Sequence, residues 1–226
     1  MTPRLDYVEE VMKQLKLARR ALRYQDVKDL VETEMENPLF MNNKKNLQLL
    51  LWHRGIYQFE LYKKVDESIA TLRSAIHLTH TSDKVWTERE IEILLTSGVI
   101  YSEVDELEKA LEVYSEAKEH IHLLPYLSDY TIKTRLYYNI ARVLTRLKKI
   151  EESTTYCKEA IHFCINKDNM YLLGELHYQI GYNFELRGNK DEALKYLKKA
   201  KIVFELQEDE KYIKFISQKV NDLLPK

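Results

Sequence analysis

The side chains in this chain that could do chemistry are few, and their spacing argues against catalysis. His77 and His80 stand i, i+3 on a helical stretch, a spacing that can begin a metal site. No third ligand lies near them, so they read as two surface or interhelical histidines. His120 and His122 point to different helix faces and make a poorer pair. Cys157 and Cys164 are seven apart on one helical stretch, roughly 10 Å at helical rise, which is too far for a disulfide. They read as small buried hydrophobes in a reducing compartment, and Cys157 falls on a core position where a thiol is inert. There is no Gly-rich phosphate loop, no HExxH and no CxxC. The acidic run Glu88, Glu90, Glu92 and the basic pairs Lys148-Lys149 and Lys198-Lys199 read as solvated helix faces. The expectation is therefore no enzyme, no metal and no cofactor. The remaining candidates are recognition groups: arginines for carboxylates, amides for peptide backbone, and tyrosines for apolar walls.

Such groups need a surface to hold them in line. The chain has 226 residues, 45% hydrophobic and 31% charged, which fits a folded domain and neither a disordered nor a membrane-spanning one. Lys plus Arg number 35 against 36 Asp plus Glu, so no global charge draws the chain to nucleic acid. No leader, lipidation motif or spanning apolar run is visible, and the expected location is the cytoplasm, away from membranes. Pro is absent from residues 126–224, which leaves long helices uninterrupted there.

The positioning elements show as a repeat. Ala75, Ala117, Ala160 and Ala200 each close a helix pair, and seven residues before them stand Ser68, Ala110, Ser153 and Ala193. Three before them stand Leu72, Tyr114, Cys157 and Leu197. Nineteen before them lie Ile56 (with Gly55 beside it), Gly98, Ala141 and Gly181, followed three later by Phe59, Tyr101, Leu144 and Phe184. This is the tetratricopeptide pattern, with Trp52 at its tryptophan position and a weaker first copy through Leu15, Ala18, Val27 and Val31. The aligned alanines are spaced 42, 43 and 40 apart, longer than the usual ~34. The extra residues, as in Asp83 to Glu92, are polar and helix-compatible, so elongated helices rather than long loops are expected. The predicted fold is all-α: a right-handed superhelical solenoid of about five elongated repeats, near residues 5–40, 44–80, 84–124, 128–166 and 169–206. Tyr212, Phe215, Ile216, Val220 and Leu223 predict a capping helix over 208–224, and the whole chain reads as one domain.

The pattern also places the groove. If the buried stripe holds the small residue and the aromatic three later, the concave stripe falls two before, one after and five after the small residue. The fourth repeat then presents Asn139, Arg142 and Arg146, with Arg135 a turn earlier. The fifth presents Gln179, Tyr182 and Leu186, with Glu175 a turn earlier; the second presents Arg54, Tyr57 and Leu61. Asn139 and Gln179 suit an extended peptide backbone, the four arginines suit peptide carboxylates, and Tyr57 and Tyr182 suit apolar side chains.

Tyr137-Tyr138-Asn139-Ile140-Ala141, then Tyr156-Cys157-Lys158-Glu159-Ala160-Ile161, then Leu173 to Gly181, resemble the peptide-sensing regulators of Gram-positive bacteria, the Rap/NprR/PlcR/PrgX group. The likeness is greatest to regulators of the PlcR kind. It implies a short secreted signalling peptide bound in the groove, with Asn139 and Gln179 holding it and Tyr212 beside it, and a homodimer built from the repeats. It also implies quorum sensing, in which binding changes curvature or assembly and so DNA binding by an attached helix-turn-helix. Such regulators carry that helix-turn-helix ahead of their repeats, whereas only Met1–Leu5 precede the first copy here. The expectation is an excised regulatory domain, with a stand-alone sensor as the alternative, and DNA contact only through a helix-turn-helix that this chain lacks. A constitutive scaffold binding a protein partner is the other reading of the same groove.

Overall fold

The computed structural model describes residues 3–81 and 84–224, with side chains from Asp6 onward. Expectations placed on Met1, Thr2 and Asp83 lie outside these residues. Among the described residues there are twelve helices and no strand. Five of them, α1 (Pro3–Arg20), α4 (Lys44–Tyr62), α6 (Glu88–Glu103), α8 (Thr131–Arg146) and α10 (Leu173–Leu186), are the first members of helix pairs. Their partners are α2 (Tyr24–Glu34), α5 (Val65–Thr79), α7 (Leu107–Leu123), α9 (Ile150–Asn166) and α11 (Lys190–Leu206). A single turn, α3 (Pro38–Met41), and a terminal helix, α12 (Glu210–Leu223), complete the chain. The pairs stack into a right-handed tetratricopeptide-like solenoid closed by α12. One apolar core runs from Val11 to Ile180, and a smaller one under α12 gathers Leu197, Ala200, Phe204 and Ile216.

The helices begin and end by local chemistry. Asn43 accepts from the N–H groups of Lys45 and Asn46 at the start of α4, and Asn189 caps α11 in the same way. Thr87 and Glu90 form a reciprocal capping box that starts α6 at Glu88. Each turn inside a pair, and the one before α12, places one residue in the left-handed region two positions before the next helix: Leu22, Lys63, Asp105, Lys148, Gly188 and Glu208. The following N–H then reaches back to a helix carbonyl, as in Lys149 to Leu144 at 2.9 Å and Asn189 to Phe184 at 3.0 Å.

One of these turns differs. The N–H of Lys64 bonds Gln58, six residues back, where the other turns reach five. Helix α4 therefore carries one extra residue before its turn. The small-residue contact shows the same shift: a Cβ on Gly55 would stand 2.7 Å from Leu72, as a Cβ on Gly181 would stand 3.0 Å from Leu197. Gly55, not Ile56, is thus the small residue of the second repeat. The sequence register there was one residue late.

The long repeat period has a second source beside the expected long helices, of which α7, α9 and α11 run 17 residues each. Residues 84–87 are not helical, and the chain between pairs also leaves helix at 124–130 and 167–172. Of the stretch expected to lengthen a helix, Glu88–Glu92 do so as the start of α6 and residues 84–87 do not. His80 ends α5 in extended conformation, the capping box delays α6, and Trp86 stacks on His120 of α7 at 4.0 Å, holding the segment across the pair.

Candidate functional site

The first helices of successive pairs line two cavities. The larger, about 420 Å³, lies between α8, α10, α11 and α12. Helix α8 contributes Tyr138 and Arg142; α10 contributes Glu175, Tyr178, Gln179 and Tyr182. Phe204 of α11 and Tyr212 and Phe215 of α12 complete the wall. The aromatic rings brace one another. Tyr178 and Tyr182 stack at 6.2 Å, Phe215 meets Tyr178 edge-on at 5.5 Å, and Tyr212 stacks on Phe204 at 4.7 Å. Helix α12 presents Tyr212 and Phe215 to the cleft because Ile216 is its buried anchor, and the Lys219–Glu185 ion pair at 3.0 Å fixes it to α10.

Burial sets the electrostatics of this cleft. It pushes the Tyr138 hydroxyl up to about 12 and raises Tyr178, so both rings act as neutral hydrogen-bonding walls near neutral pH. Burial also raises the carboxyl group of Glu175 above the usual carboxylate range. The Arg142 guanidinium lies 5.8 Å from the Tyr138 ring centre and makes no ion pair among the described residues.

Beneath the cleft lies a polar network between the fourth and fifth pairs. Asn183 donates to Ser153 Oγ at 2.8 Å and Thr154 Oγ1 at 3.0 Å, and its carbonyl accepts from Thr145 at 2.7 Å. Ser153 and Thr145 hydroxyls are 2.8 Å apart. Asn183 donates to Ser153 and Ser153 to Thr145; the one Thr145 proton faces Asn183 Oδ1 at 2.7 Å and the Ala141 carbonyl at 3.1 Å, and the shorter contact closes a ring. Gln179 Nε2 donates into this ring at Thr145, 2.8 Å away. Its amide is thereby oriented nitrogen-inward, and its carbonyl oxygen takes no hydrogen bond among the described residues. The sequence reading gave Gln179 both donor and acceptor roles toward a ligand. The structure commits its donor inward and leaves the acceptor.

The nine candidate residues divide. Arg142, Gln179, Tyr182 and Tyr212 meet in the cleft. Asn139 is buried, with no side-chain hydrogen bond among the described residues, and shares a face of α8 with Arg135 and Arg142. Arg135 lines the second cavity, about 160 Å³ between α1, α4, α6 and α8, where it pairs with Glu92 at 2.6 Å. Arg146 is turned to the end of α6, bonding the Ser102 carbonyl at 2.6 Å and Asp105 at 2.7 Å. Tyr57 is buried with its hydroxyl donated to Glu32, so it offers no wall, and Arg54 lines neither cavity. The register shift in α4 explains both departures. Counting from Gly55, position −2 is His53 and −3 is Trp52, and these two line the second cavity.

The stripe at −3 was the signal missed. Tyr138 and Tyr178 stand three before Ala141 and Gly181, and both face the cleft. Phe204 and Phe215, on α11 and α12, lie outside any rule drawn from the first helices. Cys157 is fully buried and its thiol is pushed up by burial. No group of three or more His, Cys, Asp or Glu that could hold a metal ion occurs among the described residues.

The C-terminal domain model of the RNPP family matches residues 12–224. PlcR of Bacillus thuringiensis, solved in complex with the peptide PapR7 and DNA, has the same fold at 19% identity and a TM-score of 0.80. That match covers 100% of this chain and 77% of PlcR. The apo form of PlcR aligns at 20% identity and a TM-score of 0.82, over 96% of this chain and 79% of that one. BtubC from P. vanneervenii aligns at 12% identity and 0.65, over 92% and 94% of the two chains. No curated protein matches this chain.

Proposed function

This chain belongs to the RNPP family, matched over that family's C-terminal domain, and from that premise we propose that it is a regulatory domain switched by a short signalling peptide. The observation that carries the reading is the cleft between α8, α10 and α12. It combines a braced aromatic wall, an outward carbonyl on Gln179 and an unpaired guanidinium on Arg142. An extended peptide needs those elements: acceptors for its N–H groups, flat walls for apolar side chains and a cation for a carboxylate. That PlcR has been solved with a peptide supports the same class of ligand here.

The cleft also suggests how a peptide would act. Its walls belong to the last pairs and to α12, so a ligand touching Tyr138, Gln179 and Tyr212 together binds best at one angle between them. That differential affinity is what shifts a conformational or assembly equilibrium. In this reading the domain works in the cytoplasm as a homodimer, reports on a secreted peptide, and affects DNA only through a separate helix-turn-helix.

Asn139 tests the reading, because its side chain makes no hydrogen bond among the described residues that its loss would break. Short linear peptides titrated calorimetrically into the full chain should bind one to one. Asn139→Ala should leave the urea midpoint nearly unchanged and weaken binding by more than ~1 kcal/mol, about fivefold. Binding of folded protein partners with none of short peptides would instead favour a constitutive scaffold.

A further inference from the structure

The cavity between α1, α4, α6 and α8 is chemically unlike the aromatic cleft. Lys16, Arg19 and Arg20 of α1 face Arg89 of α6 and Arg135 of α8, against only Glu92 and Asp129. The chain as a whole carries a formal net charge of −1, so this cation excess is local. Arg19 is two-sided: its guanidinium lies 4.5 Å from the Trp52 ring centre and makes no ion pair among the described residues. Burial, and next the charge of Arg135, hold its pKa below the ordinary arginine value.

Two atoms in the same cavity wall lack partners. Among the described residues only five buried side-chain N or O atoms go unbonded, and two of these belong here: Arg135 Nε and His53 Nε2. His53 is 2% exposed, and its Nδ1 is 2.9 Å from the Leu49 carbonyl. A carbonyl only accepts, so Nδ1 carries the proton and Nε2 is a bare acceptor. The cavity thus offers one unused donor in a cationic field and one unused acceptor. Buried polar atoms are normally paired, and a cluster of five cations against two carboxylates is self-repelling.

Resting on the peptide-binding reading, we infer that this cavity is a carboxylate site, taking an acidic group that carries a hydrogen-bond donor beside it. The carboxylate meets Arg19 and Arg135, and the neighbouring N–H meets His53 Nε2. Both a peptide C-terminus and an acidic side chain next to its own amide have that chemistry. The ligand would then be bipolar, with apolar residues in the aromatic cleft and an acidic group at the far end. Asn139 lies on the α8 face that joins them.

Small probes test this without the aromatic cleft. The full chain is titrated at constant ionic strength with N-acetyl-leucine, N-acetyl-aspartic acid α-amide, N-acetyl-leucinamide and inorganic phosphate, following the Trp52 indole N–H resonance by NMR. At least one of the two carboxylates should shift it saturably, and which one does so identifies the source. The leucinamide should not, and phosphate should bind more weakly. Arg19→Met, which keeps an apolar stem over Trp52, should weaken the carboxylate about tenfold. Glu92→Gln serves as a second variant that keeps an acceptor: freeing Arg135 should tighten the carboxylate about threefold or more. No saturable shift with either carboxylate, equal shifts with the leucinamide, or phosphate binding as tightly would overturn the assignment. Failure here leaves the peptide reading standing, since that reading rests on peptide binding measured through Asn139.

Discussion

Gly98 and Tyr114 should show a stability effect that reverses sign with background. A Cβ added at Gly98 would stand 2.7 Å from Tyr114 Cδ1, 3.0 Å from Cζ and closer still to Cε1. Relaxed carbon contacts lie near 3.5–4.0 Å, so the ring must retreat by about 1 Å. Tyr114 is 1% exposed and has nowhere to go. Overpacking of this kind costs ~1–3 kcal/mol, partly offset by the ~0.5–1 kcal/mol gained when alanine replaces glycine within a helix. Gly98→Ala should therefore destabilise by about 1–2 kcal/mol. The equivalent pair one repeat on is Ala141 and Cys157, both fully buried, where a methyl group faces a small partner. In a Tyr114→Cys background, itself costly by roughly 3–5 kcal/mol through cavity formation, the clash is gone and only the helix gain remains. There Gly98→Ala should stabilise by ~0.5–1 kcal/mol. Urea unfolding under reducing conditions, with m unchanged between variants, measures all four corners of the cycle. The same sign and size in both backgrounds would refute the idea that these two side chains set the spacing of α6 and α7.

Two further outcomes follow from backbone and burial. At equivalent turn positions Leu22 has φ 56° and is 69% exposed, whereas Gly188 has φ 73° with nothing within 4 Å of an added Cβ. Gly188→Ala should lower the thermal midpoint at a cost of about 1 kcal/mol, and Leu22→Gly should raise it by roughly half as much; opposite signs are the test. His53 is held neutral by burial, its pKa lowered to about 3. Unfolded histidine binds a proton near pH 6.5, so stability is fully present above that and is lost as pH falls toward 3. The loss is about 1.4 kcal/mol per pH unit within that window. His177, lowered to about 4 by burial, acts in the same direction. His53→Phe should flatten the urea midpoint between pH 7 and pH 5, and an unchanged slope would remove His53 as the cause.

The all-helical repeat fold was legible in the sequence because small residues recur where helices must touch, and that constraint is local and periodic. The register failed once, at Ile56, where an added residue before the turn after α4 leaves no compositional mark. That one-residue error moved the second repeat's −2 and +1 positions from His53 and Ile56 to Arg54 and Tyr57. Arginines were legible as groove residues only in part. A long side chain takes whichever neighbour its own stem can reach: Arg146 reached the end of α6, and Arg135 reached Glu92. Phe204 and Phe215 were invisible to the periodicity because the elements that bring them to the cleft are the last pair and its cap, where the repeat rule stops.

The closed ring of Asn183, Ser153 and Thr145 has a mechanical meaning for the array. In a stacked chain of helix pairs each seam has its own cohesion, and cohesion from apolar packing fades gradually as a seam slides. A hydrogen-bonded seam fades sooner: tilting one pair against the next lengthens the two ring bonds that cross between them, Asn183 to Ser153 and Thr145 to Asn183, while the Ser153–Thr145 bond stays within the α8–α9 pair. The seam between α8–α9 and α10–α11 is therefore a joint held by directional bonds as well as by packing, and Asn183 is the residue that bridges it. The aromatic cleft straddles that joint. A ligand seated there would add to the cohesion of that joint, an effect readable as slower exchange of the Asn183 side-chain amide.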